Sequence, residues 1–151
     1  MRGLGSRRFV AVIEGLDGLR AGDEFVIPAT RLREREGAFT RVGRKIAGAP
    51  DVLDQLEAWL WGELRERGLR GFDVGVEQTR WQCDREGEGF FTCNLDFKFQ
   101  VFDADTGDLK ARGVGSAGVE CRVKGGSAND PEHMALCRFL RLRGRITEKY
   151  L

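Results

Sequence analysis

The amino-acid sequence predicts an α+β fold, in which an antiparallel sheet of hairpins and a meander carries two main helices on one face. Three observations lead to this prediction. Apolar residues recur at three- and four-residue spacing over residues 50–67, which indicates a helix with one buried stripe. Apolar and polar residues alternate over 94–101, which is typical of a strand with one solvent-facing side. Asp130 followed by Pro131 resembles a helix start and predicts a second helix over 131–143.

The elements follow one another along a single predicted domain, residues 1–151. Short N-terminal strands are expected within 8–45, a helix over 50–67, a meander over 72–124 and a C-terminal helix over 131–143. Clustered strands of this kind favour an antiparallel sheet over the strict alternation of strands and helices in a parallel fold. A chain of 151 residues is also long enough to bury a core without a covalent cross-link.

The charges are separated along the chain although the formal net charge is only +1. Arginine supplies 20 of the 25 basic residues, and its planar guanidinium makes bidentate contacts with phosphates and carboxylates. The basic residues are concentrated in 31–45 and 138–149, whereas 73–108 is rich in acidic residues. This pattern predicts either polyanion binding or self-association through complementary charge.

Two motifs suggest ligand chemistry but lack the context that it requires. Residues 113–118 spell G-x-G-x-x-G, yet the extended sequence "VECRV" follows where a phosphate site needs a helix N-terminus. We expect these glycines to form a bulge or turn between strands. "DADTGD", residues 103–108, resembles the start of a calcium loop, but Asp108 and Val114 stand where the pattern requires Gly and Glu. We therefore expect a polar turn there and no cofactor.

The cysteines and the single histidine are the remaining candidates for metal or nucleophilic chemistry. Cys83, Cys93, Cys121 and Cys137 lack the C-x2-4-C spacing of zinc sites. Cys83 and Cys93 would nevertheless lie opposite one another in a hairpin, where Cys121, His133 or Cys137 could complete a metal site. We expect buried free thiols instead, and neither a metal nor an enzymatic activity. The absence of an apolar signal sequence predicts a cytoplasmic protein, in which thiols stay reduced.

The C-terminal segment "CRFLRLRGR" is the main candidate for binding. Its arginines alternate with apolar residues, so that the apolar atoms pack while the guanidinium groups remain exposed to bind phosphates. A solvated helix face on an arginine-rich protein is the alternative interpretation. The predicted nucleic-acid site consists of Arg122, Lys124, Arg138, Arg141, Arg143 and Arg145.

Four features follow one another in residues 64–151: "RGFDVGVEQTRW", the turn "DADTGD", the glycine-rich "GVGSAG", and Arg138 and Arg141 after it. In this order they resemble the core of the single-strand annealing proteins of homologous recombination and their phage relatives. The resemblance implies a helix, a three-strand meander and a basic helix, in subunits that form rings and hold DNA in a groove. The family is richer in Ala, Lys and Thr-Asp pairs in its last helix, and residues 1–48 have no counterpart in it.

We therefore expect a non-enzymatic protein that binds or anneals single-stranded DNA, forms homo-oligomers and does not associate with membranes. The alternative is a phage structural assembly subunit, such as a head-tail joining or tail-completion protein, that forms homo-oligomeric rings. The segment "VFDADTGDLKARG" also looks like a strand turn of periplasmic assembly lipoproteins, but the missing signal peptide and lipidation cysteine oppose that interpretation.

Overall fold

The computed structural model describes residues 13–27, 29–33, 38–41, 50–123 and 134–150. A short 3-10 turn at Leu16–Gly18 precedes the main elements. In chain order these elements are β1 (Glu24–Ile27), α1 (Ala29–Arg33), β2 (Ala38–Arg41), α2 (Pro50–Glu66), β3 (Phe72–Gly87), β4 (Phe90–Asp103), β5 (Leu109–Val123) and β6 (Met134–Lys149).

The strands form one antiparallel sheet in the order β1-β6-β5-β4-β3. Strand β1 pairs with 142–145 of β6, and β2 pairs with 134–137 of the same strand. The long strands β3 to β6 therefore make a continuous meander, with β3 at one edge and β6 inside the sheet. The helix predicted over 50–67 corresponds to α2, and the meander predicted over 72–124 corresponds to β3, β4 and β5.

The predicted α+β fold with two main helices is wrong, because the described chain is mostly antiparallel sheet with one main helix. Residues 134–143 of the predicted C-terminal helix belong to β6, and 131–133 lie outside the described residues. Phe139 pairs with Val119 and Arg141 pairs with Gly118, so that Leu140 is an extra, bulged residue. The bulge interrupts the two-residue alternation of the strand and produces apolar spacings of three and four, which favour a helix.

The glycines of the G-x-G-x-x-G segment make room for aromatic rings in the core. Phe97 and Phe99 of β4 are 1% and 0% exposed. A Cβ atom on Gly115 would collide with the ring of Phe97, and one on Gly113 would collide with the ring of Phe99. The segment lies within β5 rather than between strands, and the register of β5 against β6 shifts at both of its ends. The expectation that the glycines form a turn or bulge between strands is therefore wrong, because the extra residues at the two register shifts, Leu140 and Thr147, belong to β6.

Helix α2 covers the first half of the edge strand β3. The backbone N–H of Val76 donates to Oε2 of Glu57 at 2.9 Å, and Nε1 of Trp61 donates to the carbonyl oxygen of Phe72 at 3.1 Å. The rings of Trp61 and Phe72 are also stacked, with centroids 5.7 Å apart. These contacts satisfy backbone groups that an edge strand otherwise exposes to other chains. The apolar stripe of α2 on the core consists of Val52, Leu56, Trp59, Leu60 and Leu64.

The segment "DADTGD" forms the polar turn that joins β4 to β5. Asp103 is only 3% exposed, and its Oδ1 accepts hydrogen bonds from the backbone N–H groups of Asp105 and Thr106. The carbonyl oxygen of Asp103 also accepts from the N–H of Gly107, which has a φ of 78°. The carboxylate of Asp103 therefore stabilises the turn, as aspartate does in Asx-type turns.

The four cysteines form two disulfides, Cys83–Cys93 and Cys121–Cys137, and the expectation of free thiols is wrong. Each bond joins directly opposed residues of neighbouring strands, whose Cα atoms are 4.0 and 4.1 Å apart. Opposed residues of an antiparallel pair bring their Cβ atoms within reach of a disulfide. His133 lies outside the described residues, and within them no group of three or more His, Cys, Asp or Glu side chains is arranged to hold a metal ion.

The N-terminal strands predicted within 8–45 are represented by β1 and β2, and residues 8–12 and 42–45 lie outside the described residues. None of the helices in the described part of the chain combines the length and the apolar character needed to cross a membrane.

Candidate nucleic-acid interface

The face of the sheet opposite the core, which we call the outer face, carries four arginines on β6. These residues lie opposite Glu120, Gly118, Ser116 and Val114 of β5. Side chains alternate between the two faces of a regular strand, so residues 138 and 141 would point to opposite faces. The bulge at Leu140 adds one residue between them and places all four arginines on the same face. We call this set the arginine row: Arg138, Arg141, Arg143 and Arg145.

The arginine row is exposed and is not neutralised by carboxylates. Nε of Arg143 lies 3.4 Å from Oγ of Ser116, and Nη2 of Arg141 donates to Oδ1 of Asn94 at 2.9 Å. Within the described ranges no carboxylate lies at ion-pair distance from any member of the row. The four guanidinium groups can therefore donate hydrogen bonds to an incoming anion without first breaking an ion pair.

A trough runs along β5 beside the arginine row. Its floor is formed by Val114 and Ser116, whose side chains are shorter than those of the flanking strands. On the side of β6 the trough is bordered by Arg143, Arg145 and Val26, and Val26 is 61% exposed. The trough extends toward β4 at Lys98 and Gln100, with Arg112 at that end. Glu24, Glu77 and Glu148 also line the trough, so the outer face offers a channel in which Arg143 and Arg145 lie beside carboxylates without forming ion pairs among the described residues.

Gly118 allows the side chain of Arg141 to cross β5. A Cβ atom on Gly118 would lie 3.1 Å from Nη1 and 3.2 Å from Cγ of Arg141, so the arginine side chain occupies the space above the glycine. The guanidinium thereby passes over β5 and reaches Asn94 on β4. Because this hydrogen bond is made with a neutral amide, Arg141 is positioned while its positive charge is retained.

The opposite border of the outer face is mostly acidic, although it also carries the cation Arg80, opposite Asp96 of β4. Asp73, Glu77 and Asp84 of β3 lie opposite Phe102, Lys98 and Thr92 of β4, and Glu86 accepts a hydrogen bond from the hydroxyl of Thr92 at 2.7 Å. We call the four carboxylates Asp73, Glu77, Asp84 and Glu86 the acidic column. Three inter-strand steps separate β3 from β6, which corresponds to about 14 Å.

The remaining predicted site residues are less available. Arg122 lies at the end of β5, where its Nε is 3.4 Å from Oε1 of Glu120 and its guanidinium lies 4.2 Å from the centroid of the Phe90 ring. Part of its charge is therefore compensated within the protein. Lys124 lies outside the described residues.

The predicted site does not contain Arg80, Lys98 and Arg112, which are cations of the outer face. The alternation in β4 already indicates that Lys98 faces solvent, so a sequence signal for it exists. For Arg112 the sequence offers no such signal, because its strand is interrupted by glycines and by a register shift next to it.

The residue directly after β6, Tyr150, is the single tyrosine of the chain. The hydroxyl of Tyr150 donates to a carboxylate oxygen of Glu148, and this hydrogen bond raises the pKa of Tyr150. The guanidinium of Arg112 lies 5.8 Å from the centroid of the tyrosine ring and opposes that shift. Tyr150 is therefore a neutral hydrogen-bond donor at neutral pH.

The resemblance of residues 64–151 to the single-strand annealing proteins stays a prediction, but the basic helix that it implies is replaced by β6. No protein-family model, no curated protein and no solved structure matches this chain.

Proposed function

We propose that the outer face binds single-stranded nucleic acid and that the ligand is single-stranded DNA. We also propose that the protein is not an enzyme. The observation that carries this proposal is the arginine row: four exposed arginines on one face of one strand, with no carboxylate partner among the described residues. Phosphate contacts by arginine supply most of the affinity of proteins for nucleic acid when sequence is not read.

The spacing of the arginine row supports an extended ligand. Side chains on the same face of a strand are separated by about 6.6 Å, so Arg141, Arg143 and Arg145 follow one another at that interval. Consecutive phosphates of an extended single strand are separated by a similar distance. A strand that runs along β6 would place one phosphate near each guanidinium, and the whole row spans about 20 Å.

The trough supports the same ligand. A strand whose phosphates contact β6 would turn its sugars and bases toward β5 and β4, where Ser116, Asn94 and Gln100 offer hydrogen-bonding groups. The outer-face aromatic residues of β4 are at its ends, at Phe90 and Phe102, rather than along the trough. We therefore expect binding dominated by phosphate contacts, with strong salt dependence and little sequence preference.

A second candidate function, assembly of copies of this chain into homo-oligomers such as phage rings, is supported by one observation. The acidic column and the arginine row lie on the same face and have opposite charge. Two copies could therefore associate through complementary charge. In that case discrete oligomers form without nucleic acid, and mass photometry of the purified protein would detect them.

The cytoplasmic location stays a prediction from sequence, and the two disulfides argue against it. Disulfides persist in oxidising compartments and are rare in the cytosol. Counting free thiols with a thiol-reactive dye, in protein purified under non-reducing conditions, tests whether the bonds form in the cell. Four reactive thiols per chain would support the reducing compartment expected from the sequence.

The test of nucleic-acid binding is a fluorescence anisotropy titration with a labelled oligonucleotide of about 16 nucleotides, long enough for a site of this size. We expect binding at about 50 mM salt that weakens steeply toward 200 mM, with a log-log slope of about −0.7 for each neutralised phosphate. An absence of binding at the lower salt concentration would contradict the proposal.

A triple variant tests the location of the site. Replacing Arg138, Arg141 and Arg143 with Gln should lower the affinity by more than about tenfold and reduce the salt slope by about 2. The free energy of unfolding should change by less than about 0.5 kcal/mol per site, because the three side chains are exposed. Unchanged affinity in this variant would show that the nucleic-acid site lies elsewhere on the protein.

The control variant carries the same change in net charge away from the outer face. Arg20→Gln, Arg65→Gln and Arg70→Gln remove three exposed arginines that precede the sheet or lie on α2 and the loop after it. We expect this control to bind within about twofold of the native protein, since distant exposed charges are screened at this ionic strength. Equal losses of affinity in both variants would indicate that binding depends only on the net charge of the protein.

A further inference from the structure

We infer that the acidic column of β3 makes the outer face select a single strand of nucleic acid over a duplex. This inference rests on the proposed function and assigns a role to residues of β3 that the predicted site does not contain. It follows from the separation of charge across the four long strands, because cations are in excess on the outer face of β6, which also carries Glu148, and carboxylates are in excess on β3, which also carries Arg80.

The carboxylates of the acidic column are available to repel an anion. Asp73, Glu77 and Asp84 are exposed, and in the described part of the chain none of them forms an ion pair. Among the described residues, the neutral hydroxyl of Thr92 is the hydrogen-bond partner of Glu86. The negative charge of the column is therefore not compensated by a bound partner within the protein.

Strand β4, between the column and the trough, contributes charges of both signs on the outer face. Lys98 lies opposite Glu77 and Asp96 lies opposite Arg80, and neither pair is within ion-pair distance. The charges of Lys98 and Asp96 on β4 largely cancel. The electrostatic potential of the outer face therefore changes from positive at β6 to negative at β3. The distance between the two strands is about 14 Å.

This distance is similar to the separation of the two backbones of a duplex. The grooves of B-DNA are about 6 and 12 Å wide, so a duplex with one backbone on the arginine row would bring its other backbone over β4 and β3. The second row of phosphates would then meet the acidic column. Phosphates over the acidic column are repelled at about 50 mM salt, where the screening length is about 14 Å.

A single strand avoids this repulsion. With its phosphates on β6 and its bases over β5, its charge stays three strands away from the acidic column. The acidic column would also hold such a strand on the side of β6, because displacement toward β3 carries phosphates into negative potential. The arginine row and the acidic column together therefore determine where the nucleic acid lies on the outer face and whether a single strand or a duplex binds.

The experiment compares a labelled single strand with the matching duplex at about 50 mM salt, in the native protein and in a double variant, Glu77→Gln with Asp84→Asn. We expect the native protein to bind the single strand about tenfold more tightly than the duplex, and the double variant to lose most of that preference through a gain in duplex affinity. Raising the salt should also reduce the preference in the native protein.

The matched control is Asp17→Asn with Asp54→Asn, which removes the same charge from exposed positions on the 3-10 turn and on α2. It should leave the preference for the single strand unchanged. Equal affinity of the native protein for both ligands, or the same gain of duplex affinity in the control, overturns the inference while the proposed function stands. If neither ligand binds, the proposed function fails and this inference fails with it.

Discussion

The two faces of the sheet use small residues for opposite purposes. On the core face, Gly113 and Gly115 leave space that the rings of Phe99 and Phe97 fill completely. On the outer face, Ser116 and its neighbours leave space that stays open as a trough. The same strand, β5, therefore contributes packing on one side and a channel on the other.

This difference separates stability from binding. The core face consists of buried rings, aliphatic side chains and two disulfides, and changes there should alter the free energy of unfolding. The outer face consists of exposed charges whose individual contributions to stability are small. We therefore expect variants of the core face to lose stability without a specific loss of affinity, and variants of the outer face to show the reverse.

The largest effect is expected for Gly115→Ala on the core face. The added Cβ atom would lie 2.5 Å from the carbonyl oxygen of Arg143 and would collide with the ring of Phe97, so backbone has to move. We expect a loss of about 3 kcal/mol in the free energy of unfolding, measured by urea denaturation with tryptophan fluorescence. A loss below about 1 kcal/mol would mean that the strands separate easily at this point.

The control for this substitution is Gly62→Ala in α2. A Cβ atom at Gly62 would have no neighbour within 4 Å, and alanine favours helix more than glycine does. We expect a gain of up to about 1 kcal/mol in the free energy of unfolding. Opposite signs for the two glycines would show that the effect at Gly115 arises from contact with the ring and the carbonyl group.

A loss of stability of similar size is expected when the disulfide between β5 and β6 is removed. Cys121 and Cys137 are 16 residues apart, and a bond that closes a loop of about this length stabilises the folded state by about 3 kcal/mol. Replacing both with Ala should lower the free energy of unfolding by about that amount and leave the affinity of the folded protein for an oligonucleotide unchanged.

The matched variant for the disulfide removes the bond in the β3–β4 hairpin. Cys83 and Cys93 are only 10 residues apart, so replacing both with Ala should destabilise the protein less. A specific loss of affinity in either pair would contradict the separation of the two faces, because both bonds lie on the side of the core.

The smallest effect concerns the pKa of Tyr150, near the outer face. The hydrogen bond to Glu148 raises this pKa, so the neutral phenol persists to higher pH than in the unfolded chain. Any stabilisation from the bond is therefore present below the ordinary pKa of tyrosine and is lost as the pH rises through the raised value. A spectrophotometric titration of this single tyrosine should give a lower pKa in the Glu148→Gln variant. Identical pKa values would show that the bond does not form in solution.

Local patterns of the sequence correctly predicted that α2 is a helix and that β4 is a strand. The apolar stripe of α2 follows from helical periodicity, and Gly68 after its last turn has a φ of 97°, which favours glycine at a helix end. The alternation in β4 likewise corresponds to buried Leu95, Phe97 and Phe99. In both cases a single periodic face decides the structure, and the periodicity can be read without knowing the neighbours.

The arginine row was predicted by residue but assigned to the wrong element. The bulge at Leu140 gives β6 the apolar spacing of a helix, and only the pairing with β5 reveals that the segment is extended. The disulfide between Cys121 and Cys137 depends on the same pairing and could not be foreseen once Cys137 was assigned to a helix. Non-local pairing decides such segments because local propensity is weak compared with the contacts of a sheet.

The sequence by itself determined which residues carry charge, which alternate and where α2 lies, because these properties depend on neighbours within a few positions along the chain. Only the tertiary structure decided that β6 is a strand, that the cysteines form bonds, and that the arginine row and the acidic column share one face. Those outcomes depend on the register between strands far apart in sequence, and a shift of one residue would transfer every side chain to the other face.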